Sequence, residues 1–127
     1  MKTEEKIYTQ HAEHSEWMNK LEFYNDEISI LKNRLEEIAK KNSHKDVLAQ
    51  VEHFENQFAV QQENIDEISH SIKIDEEALQ KDIEIYPIEV DKRRVTFHAK
   101  EKESIESFEK NFNKLREEFK AFAVKWM

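Results

Sequence analysis

Glycine is missing altogether from the 127 residues, and proline occurs once. Glycine supplies the positive φ of tight turns and proline breaks helices from within, so a chain almost without them has few places to stop or turn. Cysteine is absent as well. That excludes disulfides, thiolate metal sites and cysteine nucleophiles, and fits a reducing compartment. No apolar run approaches the ~18 residues of a membrane-spanning helix, and the polar stretch Met1 to Gln10, with Glu4 and Glu5, is unlike a secretion signal. A soluble, cytoplasmic protein with no membrane contact is expected. Positive charge is also short: 20 bases against 28 acids leave a net −8. This argues against nucleic acid as a partner, because phosphate affinity comes mainly from Lys and Arg displacing counterions.

What the chain does have is apolar residues recurring in alternating steps of three and four. Charged and hydrophobic residues each make up 38%, the balance of slender helices that hide one stripe and keep a wide face in water. The first stripe runs through Trp17, Leu21, Tyr24, Ile28, Leu31, Leu35 and Ile38, with Ile7 ahead of it, and is a heptad seam. Glu16 with Lys20, Glu36 with Lys40 and Glu37 with Lys41 add acid-before-base pairs at i,i+4. A helix over 4–41 is predicted. Asn42 to His44 is then a tight reversal, with Asn42 expected in the left-handed conformation in place of glycine. Ser43 is expected to cap the next helix, with Asp46 in its first turn.

The second helix, predicted over 44–83, carries the seam Val47, Val51, Phe54, Phe58, Gln61, Ile65, Ile68, Ile72, Asp75 and Leu79. The pattern lapses at Tyr86 and Pro87, where an extended connector from Glu84 to Val90 is expected. Asp91 is the best cap for a third helix over 91–127. Its seam reads Arg94, His98, Glu101, Ile105, Phe108, Phe112, Leu115, Phe119, Phe122 and Trp126.

Short connections make successive helices antiparallel neighbours. The expected fold is all-α: an up-down-up antiparallel bundle of three long helices, a coiled-coil-like rod forming one domain over residues 1–127. Folding about Ser43 pairs Leu35 with Val51, Ile28 with Phe58 and Leu21 with Ile65, apolar against apolar. The second reversal sets Ile65 near Phe108, Phe58 near Leu115 and Val51 near Phe122, so all three seams share layers. Three such helices with a tryptophan in the first, in the run Glu13-His14-Ser15-Glu16-Trp17-Met18, resemble a spectrin-type repeat. The resemblance implies architecture only, because the chain holds no second tandem copy and its proline-bearing connector departs from that family's continuous helix.

Polar residues on a buried seam are the informative exceptions. Gln61 falls level with Tyr24 and Phe112 and is expected to bond the Tyr24 hydroxyl, fixing register. The second group lies near the first N-terminus: His14 is one step before Trp17, and His11, a turn earlier, is also expected to face inward. Asp75 from the second helix and His98 with Glu101 from the third share that level. Imidazoles and carboxylates from facing helices form the donor sets of zinc, iron and manganese sites in bundle cores. Ferritin-like sites place Glu before His, whereas His98 precedes Glu101. Glu67 and His70 have the Glu-x-x-His form, but flank Ile68 away from the seam and are discounted, as are His44 and His53. There is no glycine-rich phosphate loop and no nucleophile beside a base, so enzymatic activity has no support.

Phe23, Ile30, Leu48, Val60, Ile74, Phe97 and Val124 lie outside the stripe. They either widen the core or form a strip for a second copy or another protein. The middle helix from Ser43 to Ile83 is acidic, with ten acids against three bases. Lys92, Arg93 and Arg94 are the one dense basic cluster, read as solvating a helix start. Two functional expectations follow. The first is a non-enzymatic interaction or structural module without a cofactor, with a protein partner or a homodimer. The alternative is a bundle binding a divalent transition metal through His11, His14, Asp75, His98 and Glu101.

Overall fold

The computed structural model describes residues 2–85 and 92–127, and side chains within 9–81 and 98–127. Three helices, α1 (Lys2–Lys41), α2 (Lys45–Ile85) and α3 (Lys92–Trp126), pack against one another, with no strand among the described residues. His14 meets Asp75 on α2 and His98 on α3, while Asn42 at the other end meets Trp126. α1 therefore runs parallel to α3 and opposite to α2, which is the expected up-down-up bundle. No described helix is long and apolar enough to cross a membrane.

The seam residues are the buried ones. From Trp17 to Ile38, Val47 to Phe58, and Ile105 to Phe122 they join a continuous apolar core, with Ile68 and Trp126 half-buried at its margin. Ring contacts cross the helices at the heights the register requires: Phe58 meets Phe119 at 5.4 Å, and Tyr24 meets Phe108 at 5.3 Å and Phe112 at 4.9 Å. Mostly tilted and edge-on, these pairs add to what area burial alone contributes. On one flank, Arg116 grips the Glu27 carboxylate through Nε at 2.6 Å and a terminal nitrogen at 2.8 Å, and lies 5.0 Å over the Phe112 ring. Such flanking charge pairs fix how α1 and α3 align.

The reversal between α1 and α2 differs from expectation. No described residue has positive φ, so Asn42 is not left-handed. Its side-chain amide instead donates to the carbonyls of Ile38 at 2.9 Å and Trp126 at 3.1 Å. The amide thus satisfies helix-end carbonyls directly, which removes the need for a left-handed cap. His44, not Ser43, caps α2: its Nδ1 accepts from the Asp46 amide at 3.2 Å, and its carbonyl accepts from Leu48 at 3.1 Å. Glu84 and Ile85, assigned to the extended connector, are the last residues of α2. The remainder of that connector and the Asp91 cap lie outside the described residues. So do the side chains of Ile7, Lys92, Arg93, Arg94 and Phe97.

Gln61 is buried as a seam residue but does not meet the Tyr24 hydroxyl, which donates to Glu109 at 3.2 Å; Gln61 Oε1 is left without a partner. A phenol donates more strongly to a carboxylate than to an amide, and Glu109 flanks the seam within reach. Phe23, Ile30, Leu48, Val60, Ile74 and Val124 are all exposed, so they do not widen the core. Phe58→Ala should cost about 3–5 kcal/mol, seen as a lower urea midpoint at unchanged slope. Val60→Ala, at a position 47% exposed, should stay within about 0.5 kcal/mol. Equal losses would contradict the assignment of the two faces.

Candidate metal centre

Stepping back from Trp17 by three and then four residues leads along the α1 seam to His14 and Gln10, and both are buried. His11 is one residue off that path, about 100° round the helix, and its side chain is 56% exposed. The expectation that His11 faces inward is therefore corrected: Gln10 holds the seam position. On α2 the same rhythm buries Asp75, and on α3 it buries His98 and Glu101. His14, Asp75, His98 and Glu101 are 2–9% exposed, and each presents one donor atom within 4.8 Å of the others'.

The layer is not a solvated tip. Trp17 closes it on the core side, stacking on His98 at 4.7 Å and lying 5.8 Å from the His14 ring. Beyond it, Gln10 is buried, and Leu79 is fully buried while standing apart from the main apolar core. The polar layer is thus covered by Trp17 on one side and flanked by the buried Gln10 and Leu79 on the other. Burying ionisable groups this deeply is costly unless they pair or bind a cation.

His14 Nε2 sits at the centre of the cluster. It is 3.2 Å from Asp75 Oδ2, 3.3 Å from His98 Nδ1 and 3.4 Å from Glu101 Oε2. On the far side of the ring, Nδ1 donates to Glu76 Oε2 at 2.5 Å, and His11 Nδ1 donates to the other oxygen of the same carboxylate. His98 is arranged alike, with Nδ1 toward the centre and Nε2 3.4 Å from Glu13 Oε2, a charge contact without hydrogen-bond alignment. Each inward imidazole therefore has a carboxylate behind it. The carboxylates thus orient the two rings, turning His14 Nε2 and His98 Nδ1 toward the centre. Glu76 and Glu13 were not singled out from the sequence. The available signal was their position beside seam residues Asp75 and His14.

The protonation states follow from this packing. Burial opposes charge on His14, but the Glu101 and Glu76 carboxylates outweigh it and push its pKa up to about 9. Burial raises the Glu101 carboxyl, and the neighbouring Asp75 charge reinforces the shift against the pull of His14. Burial depresses His98, and the nearby His14 charge adds to this, so His98 stays neutral. Burial acts to raise Glu76, yet hydrogen bonds from His14 and His11 hold it below the ordinary carboxylate range. One charged imidazole N–H accordingly points at three acceptors, and Glu101 Oε2 has no hydrogen-bond partner.

Bonds of about 2.0–2.2 Å in a tetrahedral site set neighbouring donor atoms about 3.3 Å apart. The three distances from His14 Nε2, 3.2 to 3.4 Å, are close to that edge, while the four donor atoms as a set spread over 4.8 Å. Four of the five residues nominated from the sequence thus converge, and His11 does not. Glu67, His70, His44 and His53, discounted from the sequence, lie outside this layer and are exposed.

Because the His14 pKa is raised above its ordinary value, its contribution to stability is complete below pH 6.5 and is lost as pH rises through about 9. NMR titration of the imidazole resonances without added metal should place His14 near 9, and Glu76→Gln should lower it. A His14 midpoint near 6.5 would show that the carboxylates do not face the ring. Compared with known protein families, curated proteins and solved structures, the chain matches none. The likeness to a spectrin-type repeat accordingly stays one of architecture.

Proposed function

We propose that this bundle binds one divalent transition metal ion, of the zinc, iron or manganese type, in the layer formed by His14, Asp75, His98 and Glu101. One observation carries the reading: atoms of Asp75, His98 and Glu101 surround a single N–H of His14, and Glu101 Oε2 is left without an aligned hydrogen bond. A polar layer complete in itself would offer each buried acceptor a donor. Charge supports the same conclusion. A dication that displaces the central His14 proton would face two neutral imidazoles and two carboxylates, a balanced set. The donors come from all three helices, so the role proposed for the ion is to tie α1, α2 and α3 together.

Protein prepared without a histidine tag should carry about one equivalent of metal by elemental analysis. His14→Ala and His98→Ala should each lose it. At a free metal concentration 100 times Kd, the unaltered chain should gain about 2.7 kcal/mol of unfolding free energy. Absence of bound metal, with no stabilisation on adding zinc, iron(II) or manganese, ends this reading.

A second reading, the interaction or structural module, draws on Phe23 and Ile30. They are 63% and 56% exposed and stand one heptad apart on the same face of α1. A second copy of the chain meeting that face is the proposed partner. Sedimentation over a range of concentrations should then show a dimer that Phe23→Lys dissociates, and a monomer throughout removes the idea.

A further inference from the structure

The metal layer is buried, so an ion needs a way in. Two grooves approach it from opposite sides of α2. The cleft between α1 and α2, about 430 Å³, is lined by His11, His14, Glu76 and Glu77, and also by Lys73. A cation entering there meets the Lys73 ammonium beside the Glu77 carboxylate. It then meets a Glu76 carboxylate already holding two imidazole N–H groups, and behind that the Nδ1 edge of His14 rather than its central Nε2. That side closes and orients the layer.

The groove between α2 and α3 has the opposite character. It encloses about 440 Å³, and Asp75 and Glu101 form its buried floor while Glu67 and His70 stand exposed at its rim. Three carboxylates and an imidazole line it, with no Lys or Arg among the lining residues. Glu67 and His70 are three residues apart on one helix, a spacing that turns both side chains to the same face. Glu101 on the floor is only 7% exposed, and its buried Oε2, 3.4 Å from His14 Nε2, has no aligned hydrogen bond. Both carboxylate residues of the layer therefore line this side, and the charge of the walls favours a cation over an anion.

We propose that the α2–α3 groove is the entry path for the divalent cation, with Glu67 and His70 as an outer landing pair that hands it to Asp75 and Glu101. This rests on the metal reading above and adds the direction of loading to it. The ion exchanges water first for the exposed carboxylate and imidazole, then for the two floor carboxylates, and last for the imidazoles of His14 and His98. Hard, flexible carboxylates suit the early exchanges, because they bind through one oxygen or two. The Glu-x-x-His pair thus acquires a role its position off the seam denies it at the final site.

The test is the rate of cobalt(II) uptake by the full chain, followed by visible absorbance after rapid mixing. The double variant Glu67→Gln/His70→Ala should load about fivefold more slowly or worse, with a weaker dependence on salt. Its final absorbance, stoichiometry and equilibrium affinity should equal those of the unaltered chain. Glu77→Gln, which removes a carboxylate from the other cleft, should load at the unaltered rate. An unchanged rate in the double variant, or slowing in Glu77→Gln instead, overturns the path while leaving the metal layer standing. Loss of final stoichiometry in the double variant also overturns it, by making Glu67 and His70 part of the equilibrium site. Failure of the unaltered chain to take up cobalt overturns the layer and the path together.

Discussion

When three helices share common layers, a side chain on one seam has no choice of neighbours. Whatever stands at the same height on the other two seams must accept it or leave it unsatisfied, and a slip of one seam position on any helix changes every layer at once. Over most of this rod the condition is met by apolar contact, with the phenylalanines of α2 and α3 interleaved and Tyr24 edge-on to Phe108 and Phe112. At one height the condition falls on His14, Asp75, His98 and Glu101, and there it becomes an electrostatic requirement.

That layer weakens the rod relative to an apolar one, since desolvating ionisable groups costs more than their mutual attraction commonly returns. Its geometry contains devices that limit the cost. Glu76 and Glu13 stand behind the two inward imidazoles, while Trp17 covers the layer on the core side and Leu79 lies buried beyond it. These carboxylates hold the two rings so that His14 Nε2 and His98 Nδ1 face the centre, which is ordering already present in the folded chain.

Much of the fold was legible in the chain because heptad spacing and burial are two expressions of one geometry. Each described seam residue from Trp17 to Ile38 is buried, and ring contacts join seam to seam between α1 and α3 and between α2 and α3. The ends of the helices were less legible. Asn42 and His44 satisfy them with side-chain atoms, and Ile38, Trp126 and Asp46 are the partners. One of these bonds spans 84 residues, so no local pattern could show it. His11 was misplaced because a seam continues in steps of three and four from a fixed start, and counting back from Trp17 selects Gln10.

The sequence by itself determined that three helices form, which stripe of each is buried, and that polar residues interrupt the stripe at two levels, because periodicity, burial and the lack of glycine act along the chain. The tertiary structure alone decided which atoms face which. Glu76 takes the outer nitrogen of His14, Glu109 rather than Gln61 takes the Tyr24 hydroxyl, and Asp75 with Glu101 floors the groove rimmed by Glu67 and His70. Those outcomes depend on side-chain reach and on the rotation of each helix about its axis. Only packing against the other two helices fixes that rotation.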